Sequence, residues 1–195
     1  MQRPDMNSRR LIRLLPALGL VTLLAACATP STGPSVDAVN RHALVRVPAP
    51  APDWPALRQR LVGATSGISG IEIGQADKQG LRLQIPVADG FASGKSEVRP
   101  SLASALDALA PVLAPEEGAA VRVIGHTDSQ GSEMINLQLS IARAEAVVEH
   151  LRRRGIALER LSADGRGEAD PLTSNASEAG RARNRRVELI LSRQP

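Results

Sequence analysis

The alternation of apolar and polar positions changes period within residues 121–151, and that change organises the chain. Val121, Val123 and Ile124 form a short β-branched run. Stiffness at χ1 favours an extended backbone there, and Gly125 closes the run where a turn begins. His126, Thr127, Asp128 and then Gly131 follow. Beyond them Leu137, Ile141, Ala144, Val148 and Leu151 recur at steps of four, three, four and three, the spacing of one helical stripe expected to face a core. Asn136, Ser140 and Arg143 form a second, polar stripe, about 100° round the same helix. The spacing therefore predicts a strand, a loop and a long helix.

The flanking segments divide in the same way. Trp54, Leu57, Leu61 and Val62 predict a helix over 55–62, with Asp53 as its cap and Pro55 in its first turn. Residues 68–73 and 81–87 read as strands around a turn-like stretch at 76–80, which predicts a hairpin. Leu102, Ala105, Leu106, Leu109 and Leu113 repeat at helical spacing in a helix opened by Ser96 or Pro100, which Pro111 is expected to kink or end. A strand, this helix and a second parallel strand make a right-handed crossover. After the long helix, Arg152, Arg153 and Arg154 place cations at its carbonyl end and Gly155 offers the cap; His150 takes a helix-surface position. A third strand over 158–165, a loop over 167–178, a short helix over 179–183 and a strand over 186–192, with Val187, Leu189 and Leu191 on one face, complete the pattern.

Before residue 54 the periodicity disappears. Residues 28–53 are rich in Pro, Ala, Ser and Thr and include the run Pro48, Ala49, Pro50, Ala51, Pro52, the composition of an extended linker with a reach of up to ~80 Å. His42 lies in it and is expected to be solvated. Residues 1–26 have a basic start and an apolar stretch over 14–26, too short for a spanning helix and suited to an export signal. The stretch ends in Leu24, Ala25, Ala26 and Cys27, which resembles a bacterial lipobox; Cys27 would then be lipidated and become the first residue of the exported chain. It is the single cysteine, so neither an internal disulfide nor a redox pair can be built. Ala28 rather than Asp follows it, which implies the outer membrane, with the protein facing the periplasm. Acyl chains at one cysteine give stable residence, each buried methylene contributing about 0.8 kcal/mol.

Charge and aromatic content narrow the partners. The formal net charge is +4, but three of those units lie before Cys27, and the remainder holds 20 basic and 19 acidic side chains. A near-neutral chain argues against nucleic acid. Trp54 and Phe91 are the only aromatic residues, so a stacking platform for bases or sugar rings is not available either. No catalytic set is present: the sequence holds no His-Glu-x-x-His and no Gly-x-Ser-x-Gly motif, and no cofactor or metal is implied.

Candidate chemistry lies instead at the strand-to-helix junction. Asp128 supplies a carboxylate and Arg143, two turns into the helix, a planar guanidinium able to hold a carboxylate bidentately. Backbone N–H groups of the first helical turn would assist in holding an anion. A groove presenting both charges without pairing them suits a zwitterion. On spacing alone the same two residues also read as a turn or cap aspartate and a solvated helix arginine.

A resemblance bears on that choice. Gly125, His126, Thr127 and Asp128, then Gly131, Asn136, Leu139, Ser140, Arg143, Ala144 and Val147 resemble the signature of the OmpA-like peptidoglycan-binding domain, shared by OmpA C-terminal domains and Pal-type lipoproteins. Arg160, Gly165, Gly167, Glu168, Pro171 and the run 180–189 continue the resemblance, and 91–100 is similar to the family's first loop. Together they span roughly 81–191. The family implies an α+β fold, a two-layer sandwich of βαβαβ(α)β type with a mixed sheet, here preceded by the short helix and hairpin. It implies diaminopimelate of the peptidoglycan stem peptide as ligand, its amino group on Asp128 and its carboxylate on Arg143, with Thr127 and Asn136 in the same site. Arg183 or Asn184 borders the groove. Ala92 stands where the family often carries an Asp, which removes the expected side-chain contact from the first loop, and Glu97 is no obvious substitute.

The resulting organisation is an export signal at 1–26, a lipidated Cys27 and linker at 27–53, a helix and hairpin extension at 54–80, and the OmpA-like domain at 81–195. The expected function is an outer-membrane lipoprotein, not an enzyme, that tethers the membrane to peptidoglycan through the stem peptide. The alternative is a periplasmic adaptor whose residues 54–80 recruit an envelope protein complex while the OmpA-like domain anchors it.

Overall fold

The computed structural model describes residues 49–194; Cys27, the export signal, His42 and most of the linker lie outside the described residues. The elements in order are α1 (Trp54–Thr65), β1 (Glu72–Ile73), β2 (Gly80–Pro86), α2 (Pro100–Leu113), β3 (Ala119–Gly125), α3 (Glu133–Arg153), β4 (Leu161–Gly165), α4 (Glu178–Asn184) and β5 (Arg186–Arg193). A single 3-10 turn, Leu158–Arg160, leads into β4.

The sheet order is β1-β2-β5-β3-β4. β5 is antiparallel to both β2 and β3, and β3 is parallel to β4. The first crossover thus joins two parallel strands, β2 and β3, that are separated by β5, whereas the second joins neighbours. The register explains the layering. Leu81 faces Leu191, Leu83 faces Leu189 and Ile85 faces Val187 across β2 and β5, and Val121 and Val123 oppose Leu191 and Leu189 across β3 and β5. These alternate positions share one face, and all are buried in one core with Leu57, Leu61, Leu106, Leu109 and Leu151 from the helices. The other face carries Arg82, Gln84, Arg122 and Asp164, with Arg122 paired to Asp164. One apolar face covered by helices is the two-layer α+β architecture expected from the sequence.

Two local expectations are revised. The first predicted strand, 68–73, shrinks to Glu72–Ile73: the N–H of Ile68 turns back to the Thr65 carbonyl, and Gly70 at φ 83° interrupts extension. Helix α1 is longer than predicted, and Trp54, Leu57 and Leu61 bury it in the common core. Pro100 opens α2, and Pro111 lies inside it without ending it.

The buried face of α3 also differs from the apolar stripe. Leu137 and Ile141 remain 40% and 37% exposed, while Asn136, Ser140 and Arg143 are buried with Ala144, Val147 and Leu151. Close approach at two glycines decides this. A Cβ on Gly125 would lie 2.1 Å from the Ser140 carbonyl oxygen, and one on Gly165 would lie 2.4 Å from Ser140 Oγ. That hydroxyl also accepts the Gly167 N–H at 2.9 Å. Only a small residue fits where the first turns of α3 meet the ends of β3 and β4, so the polar stripe faces inward and the large side chains flank it.

Candidate functional site

Strand β3 ends at Gly125, and the next two residues are fixed by backbone bonds to two other segments. The His126 N–H donates to the Arg186 carbonyl and the Thr127 N–H to the Gly167 carbonyl, both at 2.9 Å. Asp128 then turns the chain: its Oδ1 accepts the Gln130 N–H at 3.0 Å, an Asx-type arrangement that competes with continued strand. Ser132 caps α3 by accepting the Ile135 N–H. Asn136 reaches back from the first turn, its Nδ2 donating to the Asp128 carbonyl at 3.3 Å and to Glu168 Oε2 at 2.6 Å.

Arg143 enters the same space from two turns further on. It is 6% exposed. Its Nε donates to the Lys95 carbonyl at 3.0 Å and its Nη2 to the Ala92 carbonyl at 3.4 Å, and its guanidinium lies 4.9 Å from the centroid of the Phe91 ring. Burial lowers its pKa, with Asp128 opposing that shift and Arg185 adding to it. The first loop therefore does reach the site, through two main-chain carbonyls and a ring rather than through the side chain missing at Ala92; Glu97 is exposed.

Asp128, 7% exposed, pairs not with Arg143 but with Arg185, whose Nη1 lies 2.7 Å from Oδ2. The other arm of Arg185, Nη2, contacts Glu178 Oε1 at 2.7 Å. Asp128, Arg143, Thr127, Asn136, Arg185, Glu178 and Phe91 together line an open groove of about 440 Å³, with Val87, Ile135 and Leu139 as its apolar wall. All four ligand-site residues expected from the sequence thus border one concavity. Thr127 Oγ1 is buried without a hydrogen-bond partner at its edge.

The expectation at 183–184 moves by one or two positions. Asn184 is fully buried and accepts the Leu172 and Thr173 N–H groups while donating to the Thr173 carbonyl and Asn175 Oδ1, so it holds the loop before α4. Arg183 is exposed and does not line the groove. Arg185 is the residue of this basic run that reaches the site. Spacing gave no means to choose among four neighbouring cations, Arg181, Arg183, Arg185 and Arg186, because their directions depend on where α4 ends and β5 begins.

His126, next to Thr127 but not lining the groove, is 3% exposed and both its ring nitrogens lack hydrogen-bond partners. Burial, reinforced by Arg186, lowers its pKa to about 4, against the opposing carboxylate of Glu188 at 3.7 Å. Among the described residues no group of three or more His, Cys, Asp or Glu side chains is placed to hold a metal ion, and no helix is long and apolar enough to cross a membrane.

The fold is a mixed sheet covered on one face, with a groove of opposed buried charges at the carboxyl end of β3. The chain belongs to the OmpA family, whose model matches residues 90–185. It is 39% identical over 110 residues to the probable lipoprotein YiaD of Escherichia coli (strain K12), covering 56% of this chain and 50% of that protein. It is 32% identical over 165 residues to the peptidoglycan-binding protein ArfA of Mycobacterium tuberculosis (strain ATCC 25618 / H37Rv), covering 85% of this chain and 46% of that one. Among solved structures, the cell wall anchor of the T6SS from Pseudomonas aeruginosa superposes with a TM-score of 0.61 at 30% identity, over 69% of this chain and 96% of that chain. The chain spans about half the length of the two curated relatives.

Proposed function

We propose that the chain is an outer-membrane lipoprotein that binds the diaminopimelate of the peptidoglycan stem peptide noncovalently and thereby tethers the membrane to the cell wall. The observation that carries this reading is the groove itself: a buried carboxylate and a buried guanidinium on its walls, contributed by different elements and not neutralising each other. The zwitterionic end of diaminopimelate has the complementary pair. Its ammonium goes to Asp128 and its carboxylate to Arg143, whose Nη1 is used by neither of the carbonyl contacts. Thr127 Oγ1, lacking a partner, and the Asn136 side chain border the same ligand. Static recognition of two charges at a fixed separation requires no bond to be made or broken, so the protein acts as a binder rather than an enzyme.

Residues 1–26 are assigned as the export signal, Cys27 as the lipidated residue, 27–53 as the tether, 54–80 as the helix and hairpin preceding the binding domain, and 81–195 as that domain. The similarity to a probable lipoprotein, a peptidoglycan-binding protein and a cell wall anchor supports this assignment. The test is co-sedimentation of the purified protein with diaminopimelate-type peptidoglycan. Wild type should pellet with the wall, while Asp128→Ala and Arg143→Ala stay in the supernatant with unchanged circular dichroism. A wild type that remains soluble, or variants that pellet equally, overturns the reading of the groove. Cys27→Ser should separately move the protein from the membrane to the soluble envelope fraction.

A further inference from the structure

Four ionised side chains line the groove, Asp128, Glu178, Arg143 and Arg185, two of each sign. Their arrangement is not symmetrical. Arg143 is fixed by carbonyl oxygens and a ring, and its charge faces the groove without a carboxylate in contact. Arg185 is clamped between two carboxylates: Asp128, whose side chain is 10% exposed, and Glu178, at 64%. Glu178 is itself held by Arg181 at 2.8 Å. The carboxylate assigned to the ligand's ammonium therefore already has a resident cation.

We propose that Arg185 sets the charge selectivity of the groove: as the counter-ion of Asp128 it disfavours ligands that bring an ammonium group alone, leaving a zwitterionic centre as the ligand that fits. The inference rests on the reading of the groove given above and adds a discriminating residue to it. With Arg185 in place the lining is neutral overall, so a lone ammonium approaching Asp128 meets two guanidinium groups and brings no partner for either. A zwitterion brings a carboxylate for Arg143 and adds no net charge. Without Arg185 the lining would carry one net negative charge, and any primary amine would be drawn to Asp128, where partial burial weakens solvent screening. Selectivity gained by repelling the wrong ligand is distinct from affinity gained at Arg143. Stem peptides that carry lysine in place of diaminopimelate present the same side-chain ammonium without the adjacent carboxylate, and are the ligands Arg185 would exclude.

Calorimetric titration of the full-length protein in detergent, with the tripeptides L-Ala-γ-D-Glu-meso-diaminopimelate and L-Ala-γ-D-Glu-L-Lys, tests this in wild type, Arg185→Gln and Arg185→Lys. Gln keeps a donor for Asp128 without the charge; Lys keeps the charge. Wild type should prefer the diaminopimelate peptide, and Arg185→Gln should reduce that preference by about tenfold, mainly by tightening binding of the lysine peptide. Arg185→Lys should retain the wild-type preference within about twofold. If Arg185→Gln weakens both peptides by one factor, or leaves their ratio unchanged, Arg185 only scaffolds the site and the proposal is overturned while the groove reading stands. If wild type binds neither peptide, the groove reading fails and this inference with it.

Discussion

Arg143 is fixed through geometry specific to a guanidinium, with two carbonyl contacts and an aromatic face. Arg143→Lys keeps the charge but loses the planar fork, so wall binding should fall by about tenfold or more with stability little changed, as read by a co-sedimentation isotherm beside a melting curve. His126 makes a prediction in pH. Its folded pKa of about 4 lies below the ordinary histidine value, because burial disfavours the charged ring. The unfolded chain therefore takes up a proton near pH 6.5 that the folded chain refuses until about pH 4. Stability should be unaffected by this group above that window, decline by about 3 kcal/mol in total as pH falls through it, and level off below. Urea unfolding between pH 7 and pH 4 reads the decline; a His126→Leu variant should lose this part of the pH dependence.

Between elements, contacts made by single small or charged residues decide how strands and helices sit. Arg160, 5% exposed, donates to the carbonyls of Leu113, Ala114 and Ala119, clamping the end of α2 to the start of β3. Arg160→Ala should cost about 3 kcal/mol by leaving these acceptors unpaired, seen as a lower urea midpoint. At the opposite end of β3, Gly125→Ala would set a methyl group against the Ser140 carbonyl oxygen. We expect a loss of about 2–3 kcal/mol and weaker wall binding, since the shift displaces α3 and Arg143 with it. By contrast, Ile141→Ser lies on the half-exposed flank of that helix and should change stability by less than about 1 kcal/mol.

Across the whole molecule the groove and the chain's entry lie at opposite ends of the sheet. Pro50 approaches Gly118, just before β3, so closely that a Cβ on Gly118 would stand 2.0 Å from its carbonyl oxygen. The groove opens beyond Gly125, seven strand residues away, or about 23 Å along the sheet. The described chain thus enters at the Gly118 end of β3, and the groove lies at the other end. Deleting residues 30–46 should accordingly leave co-sedimentation of the purified protein unchanged while reducing chemical cross-linking to the wall in intact cells. Equal cross-linking would show that the length of this segment is not what reaches the wall.

Periodicity alone located the last strand, the helix after the first loop and the strand-loop-helix unit, because a sheet face and a helix stripe are one-dimensional repeats. It also brought Asp128, Arg143 and Asn136 into view, while Thr127 and the expectation that all four bind a ligand came with the family resemblance. Three features needed the tertiary structure. Which stripe of α3 turns inward was settled by Gly125 and Gly165, whose missing side chains matter only once strand and helix are in contact. The hold on Arg143 comes from backbone carbonyls at Ala92 and Lys95, and a carbonyl is present at every residue, so no residue type marks it. Arg185, rather than Arg183 or Asn184, meets Asp128 57 positions away. That pairing depends on the turn joining α4 to β5, a direction in space that local spacing does not encode.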